Sequence, residues 1–458
     1  MSQDFLPRLG HHSSDLLRLA WPVMLSRAGI LLMAFCDIAM LGRYGGGEVG
    51  VSNLGLSIFV PILVVVIGLC SGMVPVISHA FGAGAWRECG RAWRRAMVWG
   101  TVLSLFGIWL VWQAEDILLW LGSVGMGPGE SLAVRGGAAA QAMAPGLLAQ
   151  VLFAVCAFYL ESTRRPRFAM IAMLLANLVN LVFNWVLIFG NLGLPEMGAV
   201  GAGIASTIAR FAALGLILWY IYAQREPEEA GVSGPWETFW GPGGWRAGWM
   251  MRKLGFSAGV SNGFETFGFA SMSLFAGRLG SEALDAYSIS HNMVSTLFMV
   301  GLGLAIATGV RVGIEQGKGC PEEATFAGWT GLLAALVIMG GLGLVVYACR
   351  DMLAWIYTDD PAVQARVVGI FVISAFVFLP DTAQIVMGQA VRALGDAWVP
   401  ILCYALAFLV LLIPMGWVML AKFGWDERGL VIAIITACTL ATISLSWRFY
   451  LLTSRARP

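Results

Sequence analysis

Residues 54–70 read LGLSIFVPILVVVIGLC, a run of 17 residues without a single charged side chain. No Asp, Glu, Lys or Arg occurs anywhere between Glu48 and Arg87. A helix needs about 20 consecutive, mainly apolar residues to cross the hydrocarbon layer of a bilayer. Together with its apolar flanks, this run is therefore long enough to form a transmembrane helix.

The composition of the whole chain agrees with this run. Of its 458 residues, 59% are hydrophobic and 12% are charged, and the mean hydropathy is +0.78. A soluble domain carries about 25% charged residues, so this chain does not have enough charge to cover a globular surface in water. The net charge of +1 gives no indication of a nucleic-acid partner. The composition predicts an integral membrane protein whose main partner is the lipid bilayer.

Several kinds of chemistry have no motif in the sequence. The eight cysteines are scattered without CxxC spacing, so no structural metal site or redox site is predicted. Walker A, HExxH and GxSxG motifs do not occur, which argues against ATP use and against common hydrolase chemistry. We therefore expect a protein that is not an enzyme and that needs no cofactor.

Apolar runs separated by turn residues predict twelve transmembrane helices in an all-α polytopic membrane protein. They lie near residues 16–43, 50–80, 91–113, 132–161, 168–190, 198–223, 252–279, 284–316, 324–348, 363–392, 397–421 and 429–452. With these helices, about 19 Lys and Arg residues fall on one side of the membrane and about 7 on the other. Because cytoplasmic segments carry the excess of positive charge, both termini are predicted to be cytoplasmic.

The two halves of the chain repeat at a nearly constant offset. At an offset of 235 residues the matched pairs include Leu19 and Leu254, Ser26 and Ser261, Gly42 and Gly277, Arg43 and Arg278, Gly45 and Gly280, and Gly84 and Gly319. Later, the spacing around Gly193 returns around Gly424 at an offset of 231. We therefore predict two pseudo-symmetric six-helix lobes, residues 1–223 and 251–458, joined by a cytoplasmic linker at 224–250. Repeat-built transporters place their binding sites between such halves.

Several motifs in the repeats together carry a resemblance to a known family. They are Leu19-Ala-Trp-Pro22, Asp37-Ile-Ala-Met-Leu-Gly42, His79-Ala-Phe-Gly82-Ala-Gly84, Asn180-x-x-x-Asn184-Trp185 and Arg392-Ala-Leu-Gly395-Asp396-x-x-x-Pro400. In their order and spacing they resemble the multidrug and toxic compound extrusion (MATE) family over nearly the whole chain. The resemblance implies a monomeric transporter in the cell membrane. It would expel small cationic or amphipathic compounds in exchange for protons or sodium ions.

An intramembrane carboxylate is costly and is therefore a functional candidate. Asp37 lies late in the first helix, and Asn180 and Asn184 share one face of the fifth. The resemblance places these three residues in one cation or proton site of the amino-terminal lobe. Thr207, with its neighbour Ser206, is a further candidate from the sixth helix.

The sequence leaves a structural alternative for this first site. In that alternative, Asp37 lies near the outer membrane interface and pairs with Arg43. The functional hypothesis adds a hinge, because proline removes a helix hydrogen bond and permits a kink. Protonation of Asp37 would free its hydrogen-bond partners and let the first helix bend at Pro22.

Two further acids are predicted inside the carboxy-terminal lobe. Glu265 lies in the middle of the seventh helix and Asp381 in the tenth. The resemblance implies a proton or cation site here, with Na⁺ as a possible guest. Sodium-type relatives have a tyrosine one turn before the second acid, where this chain has Val377. The alternative is a structural acid pair neutralised by Arg210 or His291.

Other readings of the sequence also stay open. Arg27 and Arg210 are counter-charge candidates, or they extend toward the membrane interface. A lipid-linked oligosaccharide or polysaccharide flippase of the same superfamily is the second functional candidate, although such proteins tend to have extra helices or a cationic cavity. A channel is the third, but a channel would not need two clusters of buried acids.

Overall fold

A computed structural model describes residues 5–45, 47–120, 131–223, 244–358, 360–422 and 424–454. Twelve long helices run through these segments. They are α1 (Phe5–Tyr44), α2 (Glu48–Gly82), α3 (Trp86–Trp112), α4 (Leu132–Ser162), α5 (Arg167–Leu187), α6 (Gly198–Ala223), α7 (Trp249–Gly277), α8 (Ser281–Gly317), α9 (Pro321–Ala348), α10 (Pro361–Ala393), α11 (Trp398–Ala421) and α12 (Glu427–Ser454). No strand occurs in the described segments, which confirms the predicted all-α fold class.

Eleven of the long helices in the described segments are long and apolar enough to cross a membrane, and the remaining one, α7, is less apolar. Helix α7 has 29 residues, which is sufficient length, but its sequence contains Glu265 and several Ser, Thr and Asn residues. These polar residues lower its hydropathy below that of its neighbours. The helix that carries a predicted site residue is therefore the one with the weakest membrane signal.

Two long helices depart from regular α-helical geometry. Helix α2 is interrupted at Gly72, between the segments Glu48–Ser71 and Met73–Gly82. Helix α11 contains a π-helical segment at Ala405–Leu412. Such segments occur frequently at functional sites. Helix α1, in contrast, continues through Pro22 without a break.

Glycines matched by the sequence repeat adopt matching backbone conformations. Gly45 and Gly280 have φ angles of 85° and 113°, at the ends of α1 and α7. Gly84 and Gly319 have φ angles of 71° and 75°, after α2 and α8. Residues other than glycine disfavour this left-handed region. This preference explains why glycine occurs at both copies of each turn.

The chain separates into two compact units, and α1, α2 and α7 each contribute residues to both. One contains the described parts of Leu25–Met73 and Ala85–Gly259, and the other contains the described parts of Met1–Met24, Val74–Gly84 and Val260–Pro458. The predicted lobe limits of 1–223 and 251–458 stay a prediction. Most of the predicted linker, residues 224–243, lies outside the described residues.

The start of α1 belongs to the second of these units because it is held there by polar contacts. The guanidinium group of Arg311 on α8 donates hydrogen bonds to the carbonyl oxygen of His12 and, at 2.6 Å, contacts its Nδ1. The Nε2 atom of His12 lies 2.9 Å from a carboxylate oxygen of Glu323 on α9. These contacts join three helices of the same unit at their ends.

Helix α4 forms the centre of the other unit. Over its most apolar stretch 83% of the residues are buried, the highest share among the eleven apolar helices of the described residues. Its buried face is rich in small residues, including Gly136, Ala139, Ala140 and Ala144. Without a strong hydrophobic drive between helices in lipid, small residues stabilise a bundle by letting backbones approach closely. This packing positions α6, which carries part of the first candidate site.

Candidate cation sites in the two units

Asp37 lies in a closed polar cluster formed by three helices. Its Oδ1 atom accepts hydrogen bonds from Asn184 Nδ2 at 2.6 Å and from Asn180 Nδ2 at 2.9 Å. Its Oδ2 atom accepts a hydrogen bond from Ser206 Oγ at 2.5 Å. Asp37 is 9% exposed, and the two asparagines are fully buried. The structure therefore gives Asp37 these three donors, and not Arg43, as hydrogen-bond partners.

The spacing of the asparagines explains how one helix supplies two of these donors. Residues four apart lie on the same face of a helix, so Asn180 and Asn184 both point from α5 toward α1. Asn184 Nδ2 also donates to Asn180 Oδ1 at 3.1 Å, which fixes the two amides relative to each other. One turn earlier, Asn177 Nδ2 donates to the carbonyl oxygen of Gly29 at 3.0 Å, which ties α5 to α1.

Thr207 does not join this cluster, although the sequence made it a candidate. Its hydroxyl donates to the carbonyl oxygen of Ala142 on α4 at 3.1 Å. Successive residues of a helix point about 100° apart, so Thr207 faces α4 when Ser206 faces α1. Gly146 on α4 makes room for it, because a Cβ atom there would lie 2.8 Å from Thr207 Oγ1.

Ser206 and Thr207 make a matched pair of variants for the Asp37 cluster. We expect Ser206→Ala to move the pH midpoint of transport upward by about one unit, because a hydrogen bond that stabilises an ionised carboxylate is worth roughly 1.5–3 kcal/mol. We expect Thr207→Val to leave the midpoint unchanged. Dye efflux measured at a series of pH values compares the two. Equal midpoints for both variants would remove the serine from the cluster's chemistry.

Arg210 lies in the same unit as Asp37. It is on α6, and its guanidinium carbon lies 4.8 Å from the centre of the Phe59 ring on α2. Its Nη1 atom is buried without a hydrogen-bond partner among the described residues. A cation over an aromatic face is attracted by the ring's quadrupole. The guanidinium group of Arg210 also interacts electrostatically with Asp37, so Arg210 belongs to the surroundings of Asp37.

A buried ion pair in this unit was missed by the sequence analysis. Arg27 Nη2 on α1 lies 3.2 Å from Glu161 Oε1 and 3.4 Å from Oε2 at the end of α4. Arg27 is 4% exposed and Glu161 1%. The guanidinium group also lies 5.2 Å from the centre of the Phe158 ring. Arg27 therefore has its own counter-charge and does not extend to the interface.

In the other unit, one amide connects the two predicted acids. Gln384 Nε2 donates to Glu265 Oε1 at 3.1 Å and to Asp381 Oδ1 at 3.2 Å. Gln384 is fully buried, Asp381 is 2% exposed and Glu265 8%. The structure thus brings Glu265 and Asp381 together, as the sequence predicted, and adds a third residue. Gln384 lies three positions after Asp381, so the helical spacing was the available signal for it.

The surroundings of these acids are polar on the α12 side. The Sγ atom of Cys438 lies 3.8 Å from Asp381 Oδ1, and Thr442 Oγ1 donates to the carbonyl oxygen of Pro380 at 2.9 Å. Pro380 leaves a helix hydrogen bond of α10 unmade, and its position places this irregularity directly beside Asp381. Position 377, occupied by a buried valine, supplies no oxygen ligand here.

His291 has a packing environment instead of an acid partner. Its ring stacks on Tyr287 at 6.1 Å between centroids and lies 5.6 Å from the Phe269 ring. Within the described residues, no group of three or more His, Cys, Asp and Glu side chains is arranged to hold a metal ion. A sodium ion at the carboxy-terminal acids would instead use carboxylate and amide oxygens, which suit hard cations.

Comparison with known proteins agrees with this architecture. The MatE family model matches residues 22–186 and 258–418, one segment in each half of the repeat. The chain is 32% identical over 450 residues to the "Probable multidrug resistance protein NorM" of Caulobacter vibrioides, covering 97% of this chain and 92% of that protein. It is 26% identical to the "Multidrug resistance protein NorM" of Vibrio vulnificus, covering 96% of each.

Solved structures share the fold at lower sequence identity. The crystal structure of the eukaryotic MATE transporter AtDTX14 superimposes with a TM-score of 0.87 at 18% identity, covering 98% of this chain and 99% of that one. An outward-facing MATE transporter of the MOP superfamily gives a TM-score of 0.86 at 17% identity. The two matched segments, the twelve helices and these relatives lead to one assignment. The chain is a member of the multidrug and toxic compound extrusion (MATE) family of membrane transporters.

Proposed function

We propose that this chain is a secondary active efflux transporter of the cell membrane. It exchanges drugs or other organic cations for protons or sodium ions by alternating access. The observation that carries the proposal is the set of hydrogen bonds around Asp37. A carboxylate with 9% exposure accepts them from two amides and a hydroxyl, all neutral groups. Neutral donors lower the cost of the buried anion and still leave it available to a cation.

Competition at such an acid is the basis of the exchange. A proton, a sodium ion or a cationic cargo each neutralises the same buried charge, so binding of one disfavours binding of another. A ligand shifts the balance between inward-open and outward-open forms only by its different affinity for the two. Entry of the coupling ion therefore expels the cargo on one side, and release of the ion on the other side restores the site.

The pair of acids in the other unit supports a site for the coupling ion there. Glu265 and Asp381 share one amide donor and lie close enough for their charges to repel. Two carboxylates that share a site favour the uptake of one positive charge. Na⁺ or a proton would supply this charge, and both remain within the proposal.

Alternating access requires a helix that can change shape, and α1 carries the means for it. Pro22 lies inside α1, 15 positions before Asp37, and its missing hydrogen bond lowers the cost of bending there. Protonation of Asp37 would exchange an acceptor oxygen for a donor and break part of its contact with α5. We propose Pro22 as the hinge of this step, with bending favoured when Asp37 is neutral.

A flippase for lipid-linked oligosaccharides gains no support from the relatives, which are named as multidrug resistance proteins. Its anionic cargo would also need cationic groups. In the described residues Arg27 is paired with Glu161, Arg210 interacts electrostatically with Asp37, and Arg392 interacts electrostatically with Glu265. The buried acids therefore favour cationic cargo.

Efflux from liposomes tests the proposal directly. The purified protein is reconstituted, ethidium is loaded as the cargo, and a proton gradient or a sodium gradient is imposed separately. We expect ethidium to move against its own gradient with at least one of the two, and protein-free liposomes to show no such movement. Ethidium that only equilibrates under both gradients would overturn the antiport mechanism.

A further inference from the structure

The amide of Gln384 has one end engaged and the other end free. Its Nε2 atom bridges two carboxylate oxygens, at 3.1 Å to Glu265 and 3.2 Å to Asp381. Its Oε1 atom is buried and has no hydrogen-bond partner among the described residues. A buried acceptor without a hydrogen bond destabilises the folded state, because it has lost its bond to water. A fully buried side chain that keeps such an atom beside two acids calls for a functional explanation.

The chemistry of a primary amide supplies that explanation. Its NH₂ group donates to ionised carboxylates, and its oxygen accepts from a protonated carboxyl or ligates a cation. Rotation by about 180° about the Cγ–Cδ bond exchanges the two ends with little change in shape, because that torsion is broad and roughly two-fold. The NH₂ group can therefore face the acids when they are ionised, and the oxygen can face them when a proton or cation is bound.

We propose that Gln384 is a third member of the carboxy-terminal site and that its amide reverses with the site's occupancy. When the acids are ionised, Nε2 donates to both of them, at the distances given above. When a proton or a sodium ion is bound, Oε1 turns toward the acids and accepts the proton's hydrogen bond or ligates the ion. This inference rests on the proposed antiport and names the residue that stabilises both states of its site.

The position of Gln384 fits a missing ligand. The chain departs from the sodium-type pattern one turn before Asp381, where Val377 stands in place of a tyrosine. Gln384 lies nearly one turn after Asp381 and puts a neutral oxygen donor on the opposite side of the same acid. A hard cation such as Na⁺ accepts an amide oxygen as a ligand. The site thus has three oxygen-bearing side chains without the tyrosine.

Other titratable and charged groups surround the two acids. Cys438 Sγ on α12 is 3.8 Å from Asp381 Oδ1 and 3.6 Å from Gln384 Nε2. Arg392 on α10 interacts electrostatically with Glu265, and its guanidinium carbon lies 5.8 Å from the centre of the Tyr404 ring of α11. On α8, His291 and Tyr287 stack on each other, and His291 packs on Phe269, one turn after Glu265. Gln384 Nε2 donates to both acids.

Gln384→Met tests the proposal by keeping the side-chain size and removing both ends of the amide. Hydrogen bonds to a charged group are stronger than neutral ones, so the ionised acids lose more than the protonated acids. We expect the pH midpoint of ethidium efflux to rise by about one unit, a tenfold change in proton affinity. Gln150→Met, at a buried glutamine of α4 in the other unit, is the matched control. An unshifted midpoint in Gln384→Met, equal to that of Gln150→Met, would overturn the proposal.

Infrared difference spectra between high and low pH test the reversal without any transport. In the wild type we expect a protonated-acid carbonyl band that Asp381→Asn or Glu265→Gln removes. In Gln384→Met the band should move to higher frequency, because the acid has lost its amide acceptor. A band at the same frequency in both proteins would contradict the reversal. Repeating the pH series with sodium replaced by choline separates the ions, since a sodium-loaded site shows a midpoint that depends on sodium.

These two readouts separate failure of the inference from failure of the proposed function. A wild-type protein without gradient-driven efflux, but with a carbonyl band that Gln384→Met shifts, would reject the antiport and keep the amide's role. Coupled efflux with identical behaviour of Gln384→Met and Gln150→Met would keep the antiport and reject the amide's role.

Discussion

Asp37→Asn is expected to abolish coupled efflux. For one-to-one exchange of a monovalent organic cation with a proton, a gradient of one pH unit supports about a tenfold concentration ratio, since each tenfold ratio corresponds to 1.4 kcal/mol. Without an acid at position 37 the coupling ion and the cargo no longer compete there. The steady-state ratio of ethidium across the liposome membrane should therefore fall from about tenfold to about one.

Asparagine is nearly isosteric with aspartate, so this variant should retain the fold. Asp116→Asn is a matched control, because the same substitution is made at an exposed carboxylate in a short helix at Ala114–Trp120. It should keep the wild-type ratio. If Asp37→Asn also keeps the wild-type ratio, the amino-terminal acid has no part in coupling.

Breaking the Arg27–Glu161 pair should have the largest effect on stability. Both side chains are buried, with 5% and 1% of the side chain exposed. Removing one partner of a buried pair leaves an uncompensated charge and typically costs about 3–5 kcal/mol. We therefore expect Arg27→Met and Glu161→Leu each to lower the unfolding temperature of the purified protein strongly. The measurement is thermal unfolding in detergent, followed by loss of the monodisperse peak.

The double variant separates a lost pair from lost packing. Replacing both partners by apolar residues removes the unpaired charge, so Arg27→Met combined with Glu161→Leu should be more stable than either single variant. Glu88→Gln is the exposed control, because the Arg91–Glu88 pair has side chains 42% and 50% exposed and surface pairs contribute about 0–1 kcal/mol. A double variant as unstable as the sum of the two single variants would show that the pairing is not the cause.

The helices could be predicted closely because the membrane imposes a simple rule. Every predicted helix corresponds to a long helix of the structure, since about 20 apolar residues must satisfy their backbone hydrogen bonds within the segment. The turns of the repeat could also be predicted, because glycine marks the left-handed conformation at positions such as Gly84 and Gly319. The π-helical segment of α11 was not predicted, because Ala405–Leu412 contains no glycine or proline that would mark it in the sequence.

The site residues that could be predicted were those with a strong signal on a single helix. Asn180 and Asn184 share a helix face by spacing alone. The choice between Ser206 and Thr207 needs the rotation of α6 about its axis, which depends on its packing against α4 and α1. A single sequence does not contain this rotation, so both hydroxyls stayed candidates, and in the structure Thr207 faces α4.

Glu161 and Gln384 were missed for different reasons. Glu161 ends α4 immediately before a basic segment, Arg164 and Arg165, so its sequence context is typical of a charge at the membrane interface. Its partner Arg27 is 134 residues away, and only the tertiary structure joins them. Gln384 carries no charge, and a search for intramembrane charges passes over it. Its importance arises from two acids that converge on it in space.

The most direct measurement is the affinity for an organic cation as a function of pH and sodium concentration. Ethidium binding to the purified protein in detergent, followed by fluorescence anisotropy, gives the Kd without any need for transport. If coupling ion and cargo compete for the buried acids, the Kd rises as the pH falls or as sodium increases, and the slope of log Kd against pH approaches about −1 for a single proton. Asp37→Asn should flatten that dependence. A wild-type Kd that stays constant across the pH and sodium series would contradict competition at these acids.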